Sequence, residues 1–384
     1  MRNITRLLAG AVVAVGLAPQ LAGAEQITVA LSASATGPNA SIGIPLSKGL
    51  AAAVAQMPEI AGYKVRIIDL DDASDPSTAS RNAKKMIEEY KADVILGSAG
   101  VPLAAAISAV AFENKTFMVG LTPLNVPPER RGWIALVPQP PVLMVSADVE
   151  HMKKAGIKTV AYIGFSDGWG DLVYDALLKS AEPAGIKVIT NERYARPDTS
   201  VTAQILKIIA AKPDAVLTGG SGTPGALPHV ALAERGFKGP VYGTHALINA
   251  DFIRVGGPAV NGVIAPTGPI IVAEQLPESN PIRKAGLQFR ESYLKANKQP
   301  TTDGFSAYAF DGYMLFAAAA AQAAKKAKPG TAEFRKAVRD AIFTTKEVVG
   351  VHGVYNFKEG ELYGVDERAR VLVRLEKGEW KLMK

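Results

Sequence analysis

Gly164-Phe165-Ser166-Asp167-Gly168 fits the G-x-S-x-G elbow on which α/β hydrolases expose a nucleophilic serine, and it lies between a β-branched run and an amphipathic one. An acyl-transfer triad would need a base and an acid later in the chain, for which His245 or His352 and Asp214 or Asp251 are formally available. The string also reads as an ordinary strand-to-helix turn, with small residues for tight geometry and Asp171 favouring the helix N-terminus. The turn is the preferred reading and no catalytic residue is assigned; a secreted serine hydrolase using Ser166 is the enzymatic alternative. Gly219-Gly220-Ser221-Gly222-Thr223-Pro224-Gly225 lacks the lysine of a P-loop and the spacing of a dinucleotide fingerprint. It offers exposed backbone N–H groups at a strand-to-helix turn, able to bind a carboxylate, and Ser98-Ala99-Gly100-Val101-Pro102 offers the same earlier in the chain. Asp69, Asp71, Asp72 and Asp75 do not have calcium-loop spacing and read as a solvated strand end with a helix cap. With no cysteine and four histidines, no metal site and no cofactor is assigned. Trp169 follows a strand in a loop, where it faces a cleft, whereas Phe305 near a helix start fits core or cleft equally.

The elements that would position these residues alternate. Strands are expected at Ile27–Leu31, Lys64–Leu70, Val94–Gly97 and Thr116–Gly120, with helices at Leu46–Gln56, Ser77–Tyr90 and Leu103–Asn114, the second opened by Asp75-Pro76-Ser77. A turn-rich break from Thr122 to Pro141 contains six prolines. A second series follows, with strands at Thr159–Gly164, Lys187–Tyr194, Ala215–Gly219 and Val241–Gly243 and helices at Val142–Ala155, Asp171–Ala184, Val201–Ala211 and Gly225–Arg235. The fold class is therefore α/β, with two doubly wound, Rossmann-like lobes. The segments Pro281–Asn297 and Gly304–Lys326 read as long helices that pack onto a lobe already built. Open parallel sheets bind ligands beyond the carboxyl ends of their strands, so two facing lobes imply a cleft between them.

The 384 residues, 48% hydrophobic and 21% charged, exclude disorder. The net charge of +7 is scattered and forms no aromatic-interleaved basic patch, so nucleic acid is not an expected partner. Arg2 and Arg6, the apolar run Leu7–Ala18 and the small residues Ala22-Gly23-Ala24 make residues 1–24 a cleavable signal peptide for export to the periplasm. The run is too short to span a bilayer, and the segment Phe316–Ala324 ends in Lys325 and Lys326, so no stable membrane insertion is expected.

Taken in order, the chain resembles the type I periplasmic solute-binding proteins of the branched-chain amino-acid (Leu/Ile/Val-binding) class, which deliver ligands to ABC transporters. The residues that carry the resemblance are Ile27–Ser32 leading to Thr36-Gly37-Pro38, with Gly43 and Gly49, then Asp71-Asp72 with Asp75-Pro76. Asp167-Gly168-Trp169-Gly170 is similar to the family's Asp-x-Tyr-Gly, and Phe310-Asp311-Gly312 to its Tyr-Asp-Ala. The resemblance implies a non-enzymatic monomer with an inner-membrane ABC permease as partner, trapping a small molecule by hinge closure. It implies one lobe of residues 25–138 plus 268–357 and another of 139–267 plus 358–384, with crossings near 139, 267 and 358. It further implies a ligand site of Ile42, Ser98, Gly100, Val101, Pro102, Thr122 and Leu124 from the first lobe, and Trp169, Ser221 and His245 from the second, with Phe305 as an aromatic edge.

Amino-acid binders of this class hold the ligand's ammonium with one acid near the first crossover and another after the strand ending here at Gly243. The chain has no Asp or Glu from Arg131 to Ser146 and reads Gly243-Thr244-His245 at the second position. Burying an ammonium without a carboxylate costs several kcal/mol, against about 8 kcal/mol for a micromolar complex. The expected ligand is a small carboxylic acid without an amino group, an aromatic acid such as a benzoate or hydroxycinnamate before an aliphatic or oxo acid. Thr122 and the Gly100 region would take the carboxylate, and His245 could donate to a far oxygen. A receptor-coupled sensor of the same fold is the other alternative.

Overall fold

The computed structural model describes residues 26–383, so the signal-peptide reading of residues 1–24 lies outside the described residues. The first lobe begins with β1 (Gln26–Ala33), α1 (Ala40–Gln56), β2 (Glu59–Ile60), β3 (Tyr63–Asp71), α2 (Pro76–Glu88), β4 (Val94–Gly97), α3 (Val101–Glu113), β5 (Phe117–Gly120) and β6 (Ile134–Leu136). Its strands lie in the order β2-β3-β1-β4-β5-β6, parallel except for the short β2–β3 pair. The second lobe follows with α4 (Pro141–Lys154), β7 (Thr159–Phe165), α5 (Gly168–Ala184), β8 (Lys187–Tyr194), α6 (Thr202–Ala211), β9 (Ala215–Gly219), α7 (Leu227–Glu234), β10 (Val241–Tyr242), α8 (Ala250–Gly256) and β11 (Ile264–Thr267). The chain then forms α9 (Pro281–Asn297), α10 (Phe305–Ala323), α11 (Ala332–Thr344) and the two-stranded β12 (Val348–Val349) and β13 (Val354–Tyr355), and ends in β14 (Val371–Glu376) and β15 (Glu379–Leu382). The second sheet has the order β15-β14-β11-β10-β9-β7-β8, with β14 and β15 added antiparallel at its edge. This is the two-lobe α/β architecture expected from the sequence, with two mixed, mainly parallel sheets.

Sequence pattern explains most of these elements. Parallel strands covered on both faces read as continuous apolar runs, and β4 and β5 are buried at every residue. The helix α10 is apolar around most of its circumference because it is enclosed on most sides, packing α1, α11 and the first sheet into one core with Leu96, Val119 and Phe117. Gly49 makes that enclosure possible: a Cβ there would lie 1.8 Å from the Ser306 carbonyl oxygen. Helix α1 starts at Ala40, six residues before the expected Leu46, and runs through Pro45. Burial of Ile42 and Gly43 outweighs the proline here, the backbone at Gly43 passing so close to Ser34 that a Cβ would meet its oxygen at 2.1 Å.

Leu136 forms a parallel bridge with Tyr363 and donates to the Leu362 oxygen, so residues 362 and 363 extend the edge of the first sheet. Among the described residues no helix is long and apolar enough to cross a membrane, and no cluster of acids and histidines could hold a metal ion.

Candidate functional site

The carboxyl ends of both sheets face one another across an interior cavity of about 390 Å³. From the first lobe its walls take Ile42 on α1, Ala99, Gly100 and Val101 between β4 and α3, and Leu121, Thr122 and Pro123 just past β5. The second lobe supplies Trp169 at the start of α5, Arg196 past β8, Ser221 past β9, and His245 and Ala246 past β10. Phe305 and Tyr308 on the first turn of α10 complete it.

Each wall is set by local chemistry. Gly100 is the N-cap of α3, in extended conformation, and no side-chain oxygen caps the helix, so backbone N–H groups there are left for a ligand. Below it the buried Asp72 accepts the hydroxyls of Ser32, Ser34 and Ser98, tying the ends of β1, β3 and β4 together. Across the cleft Asp167 caps α5, its Oδ1 accepting from Trp169 N at 2.9 Å and Gly170 N at 3.3 Å. That cap sets Trp169, 3% exposed, whose Nε1 donates to the Gly220 oxygen and whose ring meets His245 edge-on at 5.6 Å.

His245 is 5% exposed and its Nδ1 has no hydrogen-bond partner. Burial, with a smaller contribution from His352, pushes its pKa down to about 3, so the ring is neutral at physiological pH. Arg196 runs along the second-lobe wall. Its Nε donates to Asp167 Oδ2 at 2.6 Å, and its Nη1 to Ser221 Oγ at 3.0 Å and, across the cleft, to Asn39 Oδ1 at 2.9 Å. A second polar contact between the lobes runs from Thr223 N to Ser41 Oγ at 3.1 Å, and Val101 packs on Gly168, where a Cβ would come within 2.9 Å of Val101 Cγ1. The lobes are therefore closed on one another.

Behind the cavity the crossings converge on Tyr308. Its hydroxyl donates to Gln139 Oε1 at 2.7 Å, and its ring stacks on His352 at 4.0 Å. A Cβ on Gly268 would lie 1.8 Å from His352 Nδ1, so only glycine fits at the second crossing. Asp311 accepts from Val351 N, His352 N and the Tyr355 hydroxyl, and burial raises its pKa to about 6. The Phe310-Asp311-Gly312 string thus holds the third crossing to α10.

Of the residues expected at the site, Ile42, Gly100, Val101, Thr122, Trp169, Ser221, His245 and Phe305 line the cavity together. Three do not. Ser98 is buried on Asp72, Pro102 turns outward and is exposed, and Leu124 is buried in the core beneath α3 while Pro123 takes the lining position. Sequence reading missed Arg196 and Tyr308. The signal for Arg196 was its place two residues beyond β8; Tyr308 carried none beyond its spacing of three from Phe305. Ser166 is exposed and outside the cavity, and the four histidines lie against Tyr242 (His151), Thr218 (His229), Trp169 (His245) and Tyr308 (His352). No base stands beside it among the described residues.

A closed cleft between two doubly wound lobes, lined by aromatic rings and unpaired hydrogen-bonding groups, is the site of a solute-binding protein that encloses its ligand. The chain belongs to the periplasmic binding protein family, which it matches over residues 26–360, and is Leu/Ile/Val-binding-protein-like and not an enzyme. It is 42% identical to an extracellular ligand-binding receptor from Rhodopseudomonas palustris HaA2, covering 94% of this chain and 100% of that one with a TM-score of 0.90. It is 28% identical to the Leu/Ile/Val-binding protein BraC3 of Rhizobium johnstonii over 68% of this chain and 72% of that protein. The solute-binding protein of an R. palustris ABC transporter, solved in complex with benzoate, shares the fold with a TM-score of 0.77 at 20% identity, over 93% of this chain and 95% of that one.

Proposed function

We propose that this protein is the periplasmic component of an ABC transporter, handing to an inner-membrane permease a small carboxylic acid without an amino group, most readily an aromatic one. One observation carries the reading: no Asp or Glu lines the closed cavity, and the one charged side chain that does is the Arg196 guanidinium. An ammonium enclosed there would lose its hydration with no anion to replace it, whereas a carboxylate meets a guanidinium and the uncapped N-terminus of α3. Trp169, Phe305 and Tyr308 suit a flat apolar body, and neutral His245 suits a hydroxyl at the ligand's far end. The benzoate held by the R. palustris protein agrees with this ligand class; the name of the R. johnstonii relative favours an amino acid, and the absence of an acid in the cavity argues against it.

In this reading residues 25–138 with 268–357 move against residues 139–267 with 358–384. The chain crosses near 139, 267 and 358, the last crossing completed after Tyr363, which still bridges Leu136. A thermal-shift panel of amino acids, aromatic carboxylates, aliphatic acids and oxo acids tests it. A ligand at 100 times its Kd adds about 2.7 kcal/mol of stability. Aromatic acids are expected to shift Tm while leucine and isoleucine leave it unchanged; a shift with leucine overturns the ligand class and leaves the fold untouched.

A further inference from the structure

We propose that Arg196 is the ligand's carboxylate anchor and, through the same guanidinium, the latch that holds the two lobes shut over it. The inference rests on the proposed carboxylate ligand and goes further, because it makes anion binding and closure one event.

Arg196 lines both the closed cavity and the outer cleft, so it stands at the seam between them. Its guanidinium is held in place before any ligand arrives: Asp167 takes Nε, and the ring of Phe165 lies 4.2 Å from the guanidinium carbon. Nη1 spans Ser221 and Asn39, and Nη2 has no protein partner among the described residues. A planar fork with its nearer donors committed and one nitrogen unclaimed is suited to a carboxylate oxygen.

Asn39 shows that the cross-lobe bond has displaced a local one. It is the N-cap of α1, a position where asparagine ordinarily caps its own helix, yet its side chain makes no capping bond there and its Oδ1 accepts from Arg196. Asn39 also adjoins the α3 N-terminus, since a Cβ on Gly100 would lie 3.3 Å from its Nδ2. The uncapped N–H groups of the first lobe and the guanidinium of the second therefore flank one spot at the seam. A carboxylate there is gripped from both lobes, and only when they are closed; such a ligand selects the closed state by the contacts unique to it. Asp167, which sets both Trp169 and Arg196, is a positioning residue for this site.

The test compares an acid with its uncharged isostere. Calorimetric Kd values for 4-hydroxycinnamate and its primary amide are measured on wild type, Arg196→Gln, Arg196→Lys and Asn39→Ala, with Tm of each unliganded protein as the folding control. Wild type is expected to prefer the acid by about ten- to a hundredfold, and Arg196→Gln to abolish that preference. Arg196→Lys keeps the charge and part of the preference, and serves if the glutamine variant does not fold. Asn39→Ala weakens acid and amide by a common factor, as loss of a latch does. An acid-to-amide ratio that survives Arg196→Gln or is absent from wild type while both probes bind overturns the anchor; Asn39→Ala with wild-type Kd values overturns the latch. A wild type that binds neither probe nor any acid of the thermal-shift panel sinks the underlying ligand class and this inference with it.

Discussion

Trp169 shows how a single side chain is assigned to a site. The Asp167 cap orients the first turn of α5, the indole N–H is taken by the Gly220 oxygen, and the ring face is left toward the cavity beside His245. An aromatic wall fixed by two hydrogen bonds loses little entropy when a ligand packs on it, so Trp169→Ala is expected to weaken binding of an aromatic acid at least about tenfold. Isothermal titration checks this, and an unchanged Kd removes the indole from the site. Trp169, Ser221 and His245 were legible in the sequence because each lies a few residues beyond a strand end, where the fold puts ligands. Arg196 obeys the same rule but follows the strand at the sheet edge in a charged stretch, Arg193 to Asp198, where an arginine reads as solvated surface. Ser98 and Leu124 were misplaced because loop residues do not alternate predictably: the Asp72 cluster turns the first inward, and the bend at Pro123 buries the second.

At the level of elements, two glycines with similar steric demands separate folding from closure. Gly49 on α1 meets the Ser306 backbone on α10 within one lobe, whereas Gly168 on α5 meets Val101 on α3 across the cleft. A methyl at Gly49 must push two packed helices apart in every state of the protein, so Gly49→Ala lowers Tm by the equivalent of about 1–3 kcal/mol with or without ligand. A methyl at Gly168 strains the closed form alone. Gly168→Ala is expected to keep the unliganded Tm and to raise Kd by roughly fivefold, on the order of 1 kcal/mol. Equal effects of the two variants on unliganded Tm would show that the Val101–Gly168 contact is not a closure contact. The two-lobe alternation was readable because buried parallel strands leave β-branched runs in the sequence. Strands β6, β11, β14 and β15 escaped because they are short or find their partners far along the chain, and such pairing leaves no local periodicity.

For the whole molecule, burial of titratable groups sets how stability varies with pH. His229, His245 and His352 are buried and have pKa values pushed down to about 3, 3 and 4. The unfolded chain binds their protons below about pH 6.5 and the folded one does not, so each lowers stability as pH falls from there toward its folded value. Asp93 and Asp311, raised to about 6 by burial, act oppositely: their contribution is full below about pH 4 and is lost as pH rises to 6. Three histidines against these two carboxyls and Asp148 leave stability nearly level between about pH 4 and 6. Above that range the histidines and the first two carboxyls have finished titrating, and Asp148 alone still acts. It sits on α4 with neither oxygen hydrogen-bonded, near Arg370 and Tyr242, and burial raises its pKa well above the usual carboxylate range. Folding must keep it protonated, at a cost of about 1.4 kcal/mol for each pH unit above its unfolded value until its folded pKa is reached. Wild-type Tm is therefore expected to fall from pH 6.5 to 8.5, and Asp148→Asn, which cannot titrate, to level that part of the curve. The slope is the diagnostic quantity, because an asparagine amide at the same place is also left without partners and shifts absolute stability at all pH values. Scanning calorimetry across this range decides the matter: parallel slopes for wild type and variant would show that the buried carboxyl is paired and ionised in the folded protein.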